Sequence, residues 1–149
     1  MDIAIESEIV KLFVQKQYQK RLLYEINSKK EYDIIWHYFH TEQKLKKECL
    51  EKIYYMDEKN LEKYLFQLTG KKEVYYMGID VRIRMSLREA SYQMAHGAVA
   101  IVYCGNGIGY YQGEEELADT PRYILKAQNY RKKYLAVLNN GMKNGKKMR

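Results

Sequence analysis

The chain has 149 residues, of which 46% are apolar and 30% charged, a balance that fits one globular domain with its own core and excludes a disordered body. It contains no run of apolar residues long enough to span a bilayer, and "MDIAIESEIV" lacks the basic start and apolar core of a secretory leader, so a cytoplasmic location is expected. The net charge of +7 is unevenly placed: all 19 acidic residues precede position 120, whereas nine of the 26 basic residues follow it. A near-neutral body with a basic C-terminal end results, and such an end attracts phosphates, acidic proteins or anionic surfaces.

Residues 7–27 carry Ile9, Leu12, Phe13, Tyr18, Leu22, Leu23 and Ile26 at helical spacing and predict one amphipathic helix. Ser28 and Glu31 have the spacing of a capping box and predict the start of a second helix through "YDIIWHYF". Thr41 is in place to cap a shorter helical piece ending at Leu45.

The period then changes. The Ile53–Met56 end of "CLEKIYYM" reads as a strand, and a helix follows from Asp57 as N-cap to Gly70 as left-handed C-terminal residue. With "EVYYMG" at 73–78 as the next strand, this predicts a βαβ unit with parallel strands. A loop from Gly78 through Met85 leads to a helix opened by Ser86 and Glu89 and closed by Gly97.

"AVAIVYC", residues 98–104, is the near-continuous apolar run of a strand buried on both faces. Asn106-Gly107 is the preferred dipeptide of a type I′ hairpin, which makes "IGYYQ" its antiparallel partner. Thr120 and Pro121 predict the start of a last helix with Tyr123, Ala127, Tyr130, Tyr134 and Leu138 on its apolar face. The expected fold is therefore α/β: an N-terminal helical layer to about residue 48, a small mixed sheet and a C-terminal helix. Residues 1–138 form one domain in this reading, and 139–149 form a disordered basic tail.

Candidate chemistry is sparse. Gly105, Gly107 and Gly109 form GxGxG, but between two strands rather than at a helix N-terminus, so the string reads as a turn and not a dinucleotide fingerprint. No Walker Lys-Ser or Lys-Thr and no nucleophile elbow occurs. His37 and His40 share a helix face at a spacing that can hold a metal when an acid or cysteine completes the set. No such partner is evident, and packing beside Trp36 and Phe39 is the expected role. Cys49 and Cys104 are far apart in sequence and are expected as free thiols. No catalytic residue, cofactor or metal is assigned.

Two surface features remain. Glu114, Glu115, Glu116 and Asp119 follow the hairpin as a discrete acidic loop that suits a protein partner. Arg122, Lys126, Arg131, Lys132 and Lys133 gather on the last predicted helix, with Lys143, Lys146, Lys147 and Arg149 behind them, and suit sequence-blind binding to phosphates. The 16 tyrosines, against three phenylalanines, suit half-buried faces at the core edge.

The layout of "RLLYEINSKKEYDIIWHYFH", "IYYMDEKNLEKYLFQLTGKKEVYYMG" and "SLREA…GAVAIVYCGNGIGYYQGEEELADTPRYIL" resembles small bacterial proteins carried beside toxins as immunity proteins or antitoxins. The resemblance implies a non-enzymatic protein that covers a toxin's active site or entry groove, with Glu114, Glu115, Glu116 and Asp119 facing the toxin. The alternative is a nucleic-acid-binding accessory protein that acts through Lys126, Arg131, Lys132 and Lys133. The net basic charge departs from nuclease-neutralising proteins, which are usually acidic.

Overall fold

A computed structural model of the chain describes residues 1–28, 34–115 and 120–127. Helix α1 spans Ile3–Phe13, α2 Lys16–Asn27 and α3 Ile34–Phe39. Two short 3-10 turns lead to strand β1, Leu50–Lys52, and then α4, Glu58–Thr69. Strands β2 (Glu73–Gly78) and β3 (Arg82–Ser86) form a hairpin that runs into α5, Leu87–Ala95. Strands β4 (Ala100–Tyr103), β5 (Ile108–Gln112) and β6 (Arg122–Lys126) complete the sheet.

The α/β class holds, with the helical layer at the N-terminal end, but the expected parallel βαβ unit does not. Among the described residues the sheet has six strands in the order β1-β6-β5-β4-β2-β3, and every neighbouring pair is antiparallel. Helix α4 does connect two strands, but it carries the chain from one edge of the sheet to the other half rather than to an adjacent parallel strand. The strand before it is also displaced: β1 ends at Lys52, and beyond it the Ile53 N–H bonds across to the Arg122 carbonyl at 3.0 Å. Tyr54 and Tyr55, read as strand residues, stand exposed.

Strand alternation divides the core in two. Tyr75, Met77, Ile101, Tyr103, Tyr111 and Leu125 pack on one side against α1, α2 and α3. Val74, Tyr76, Val102, Tyr110 and Ile124 pack on the other against α4 and α5. Because both faces are covered, β4 and β5 are buried along their lengths, and β4 is apolar throughout, as "AVAIVYC" predicts. The Asn106-Gly107 hairpin is present, with positive φ at both residues (54° and 79°) and the Ile108 N–H donating to the Gly105 carbonyl.

Local signals that depend on a few neighbouring residues are realised. Asp57 accepts from the Asn60 N–H at the start of α4, and Gly70 closes that helix at φ 69°. Ser86 accepts from the Glu89 N–H to cap α5.

Others are overruled by tertiary bonds. The single helix expected over 7–27 breaks at Val14 and Gln15, whose backbone is taken up elsewhere. Val14 bridges Leu45, Gln15 N–H donates to the Lys44 carbonyl, and Lys46 N–H donates to that of Phe13. The Gln15 amide donates to the Gln43 and Leu45 carbonyls, and that of Gln19 to Val14, so the break is fully bonded. Ser28 closes the end of α2, its hydroxyl donating to the Glu25 carbonyl. Glu31 lies outside the described residues. Thr41 precedes only the 3-10 turn Glu42–Lys44 and makes no side-chain cap bond.

The predicted loop at 78–85 contains β3, and the helix predicted from Thr120 and Pro121 is instead β6 over Arg122–Lys126. Its position is fixed by β5, which would otherwise be an edge: Tyr110 faces Ile124 and Tyr111 faces Tyr123. The remainder of the predicted C-terminal helix, Tyr130, Tyr134 and Leu138 included, and the 139–149 tail lie outside the described residues.

One buried group is unsatisfied. The Ser91 hydroxyl, on the core face of α5, has no hydrogen-bond partner among the described residues. Ser91→Ala removes a desolvated polar atom without changing the packed volume much, and should raise stability by about 0.5–1 kcal/mol in urea denaturation.

Candidate functional site

The start of the acidic loop is held rigidly. At the end of β5 the buried Gln112 amide donates to the Met94 and Ala98 carbonyls, and its oxygen accepts from the Tyr110 hydroxyl at 2.8 Å. The Gly113 N–H then donates to the Pro121 carbonyl and the Glu114 N–H to that of His40, at 2.9 and 2.8 Å. Gly113 is required by close approach: a Cβ there would lie 2.8 Å from the His40 carbonyl oxygen and 2.6 Å from the Tyr111 hydroxyl. Glu114 thus leaves the sheet clamped between the end of α3 and β6. Glu116 and Asp119 lie outside the described residues.

Glu114 and Glu115 reach a cleft of about 640 Å³ between the β2–β3 hairpin, the outer side of α5 and the segment entering β4. Ile79, Val81 and Ile83 line it and are 42%, 40% and 48% exposed, an unusual solvent exposure for three large aliphatic side chains at alternate positions. Trp36 and Met85 extend the apolar lining. Its charged residues are Asp80, Glu89, Glu114 and Glu115, with no Lys, Arg or His among the described residues that line it. The Glu89 carboxylate accepts from Gln93, and Tyr76, beside Asp80, has its hydroxyl pushed up to about 12, first by burial and then by that charge.

The structure therefore brings together two of the four acids singled out in the sequence and adds Asp80 and Glu89, which sequence reasoning missed. A signal for the missed wall does exist. "IDVRIRM", residues 79–85, alternates apolar and polar residues without exception, the period of a half-covered strand.

The other candidates separate. His40 stacks on Trp36 at 5.2 Å and its Nδ1 lies 2.7 Å from the Trp36 carbonyl oxygen, whereas His37 sits edge-on to Tyr38. Among the described residues no group of three His, Cys, Asp or Glu could hold a metal ion. Cys49 and Cys104 are both buried, and burial pushes the Cys104 thiol up to about 12, which suppresses the thiolate that a nucleophile needs. On the basic side, Lys126 is paired with Glu51 at 2.6 Å and Arg122 lies over the Tyr55 ring at 5.2 Å. Both therefore have partners within the fold. Arg131, Lys132 and Lys133, with the four basic residues of the tail, lie outside the described residues.

A larger groove between α4 and α5 is lined by both signs of charge, with Lys59, Lys63, Lys72 and Arg88 beside Glu58 and Glu62. No protein-family model, curated protein or solved structure matches the chain. Among the described residues no helix is long and apolar enough to cross a membrane.

Proposed function

We propose that the chain is a non-catalytic protein-binding module of the toxin-immunity type, and that the cleft beside β3 receives a basic, apolar segment of its partner. One observation carries this reading: among the described residues, four carboxylates and no basic group line a cleft walled by exposed Ile79, Val81 and Ile83. Exposed aliphatic surface supplies the driving force for association, and a single-sign rim selects the partner and speeds its approach.

The intact chain, used as bait in an extract of its source cells treated with nuclease, should retain one protein in equal amount. That protein should arrest growth when expressed alone and be harmless when expressed with the chain. Reversing two rim charges, Glu114→Lys with Glu115→Lys, should weaken the complex by about tenfold or more, most of it through slower association. Retention that vanishes with nuclease, or is indifferent to the reversal, overturns the proposal, and the former result transfers the function to nucleic acid.

A further inference from the structure

Among the described residues, strand β3 forms one edge of the sheet and is paired only with β2. The hairpin register fixes which backbone groups it offers. Gly78 N–H donates to the Val81 carbonyl and Leu87 N–H to that of Lys72, so the bonded positions fall on Val81, Ile83, Met85 and Leu87. The N–H and C=O of Arg84, one residue out of phase, point off the sheet. The opposite edge, β1, is three residues long, whereas β3 is five.

We infer that the partner adds a strand to β3, placing alternate apolar side chains beside Ile83 and basic side chains against Asp80, Glu89, Glu114 and Glu115. This rests on the protein-binding reading above and specifies its mode. Strand addition combines backbone bonds, which give affinity, with side-chain pockets at every second residue, which give specificity. The two faces of β3 select opposite chemistry. Ile83 and Met85 project on the α5 side toward the acidic cleft, while Arg82 and Arg84 project on the α1 side, where they approach Glu6 and Asp2.

The occupant is therefore an extended segment of another protein, apolar on one face, uncharged on the other and flanked by lysine or arginine. A second copy of the chain fits poorly: antiparallel pairing about the middle of β3 would set arginine against arginine.

The test uses the intact chain and a synthetic peptide with a Val-Thr-Val-Thr-Val core flanked by lysines, beside the same core flanked by glutamates. The lysine peptide should bind with a Kd below about 1 mM and slow hydrogen exchange of the Arg84 amide about tenfold. The glutamate peptide should not bind. Arg84→Pro removes the outward N–H without removing a bond to β2, as an edge strand tolerates, and should abolish binding with the thermal midpoint little changed. Arg84→Ala keeps the N–H and should bind within about threefold of the parent.

Equal binding by Arg84→Pro, or a bound peptide that leaves the Arg84 amide unprotected, overturns strand addition while leaving the acidic cleft in place. Absence of binding by the lysine peptide, or a concentration-dependent dimer of the free chain broken by Arg84→Pro, also overturns it. Indifference of lysine-peptide binding to Glu114→Lys with Glu115→Lys removes the acidic-cleft reading itself.

Discussion

Truncating Glu6 to alanine should destabilise the fold by about 3–5 kcal/mol, the cost of leaving a buried charge without its partner. Glu6 sits in the first turn of α1 with no exposed surface. Its carboxylate accepts from the Tyr75 hydroxyl at 2.7 Å and from Arg82 Nε at 2.9 Å, and a second Arg82 nitrogen bonds its other oxygen. The Tyr75 oxygen also accepts from the Asp2 N–H at 3.0 Å, so one cluster joins the start of α1 to both strands of the β2–β3 hairpin. The Arg82 side chain is only 8% exposed and cannot recover its solvation when Glu6 is removed. The whole cluster is dispensable in a way that half of it is not: Glu6→Leu with Arg82→Met should recover most of the loss. Urea denaturation of the two single variants and the double variant measures this directly. Strictly additive losses, or a cost for Glu6→Ala below about 1 kcal/mol, would show that water reaches the cluster. The same truncation should also speed amide exchange in β3, because this cluster anchors the hairpin that walls the cleft.

The contrast between what was readable in the sequence and what was not follows the range of the interactions involved. Asp57, Gly70, Ser86 and the Asn106-Gly107 turn act within a few residues, and each appears where its chemistry predicts. Strand direction is set by partners far along the chain. A strand, a twelve-residue helix and a second strand are compatible with a parallel unit, and nothing local to them reveals that β6 pairs with β1. The segment Tyr123–Ala127 likewise fits a helical spacing until β5 requires a partner. Strand β3 is different: its strict alternation is present in the sequence, within the segment read as a loop. Its two arginines reflect an edge position, with Arg82 turned inward to Glu6. The candidate site was half legible for the same reason. Glu114 and Glu115 form a visible cluster, whereas Asp80 and Glu89 become their neighbours only when the hairpin and α5 meet across the end of the sheet.

Raising the pH above about 10 should unfold the protein steeply, because the interior holds ionisable hydroxyls where a more phenylalanine-rich core would hold none. Burial pushes the Tyr76 and Tyr103 hydroxyls from an ordinary 10.0 to about 12, and the Cys104 thiol from 9.0 to about 12. Tyr75, Tyr110 and Tyr111 are raised by burial as well. Each of these groups is neutral when protonated, and its folded value lies above its unfolded one. The folded state therefore holds protons that the unfolded chain releases. Stability is complete below about pH 9, begins to fall as unfolded Cys104 ionises, and falls faster as the unfolded tyrosines ionise near pH 10. Each group contributes up to about 1.4 kcal/mol per pH unit between its two values, and the slopes add because all have the same sign. The thermal midpoint should accordingly be nearly flat from pH 7 to 9 and drop sharply beyond 10, with tyrosinate absorbance from the buried rings appearing together with loss of helical circular dichroism. Tyrosinate formation by every ring near pH 10 with the fold intact would contradict this account. Tyr76→Phe isolates one contribution, since no hydrogen bond of its hydroxyl needs replacing among the described residues, and it should flatten the alkaline slope by about one proton. Tyr103→Phe should flatten it equally but lower stability at neutral pH by about 1 kcal/mol, because the Tyr103 oxygen accepts from the Gly107 N–H inside the hairpin turn.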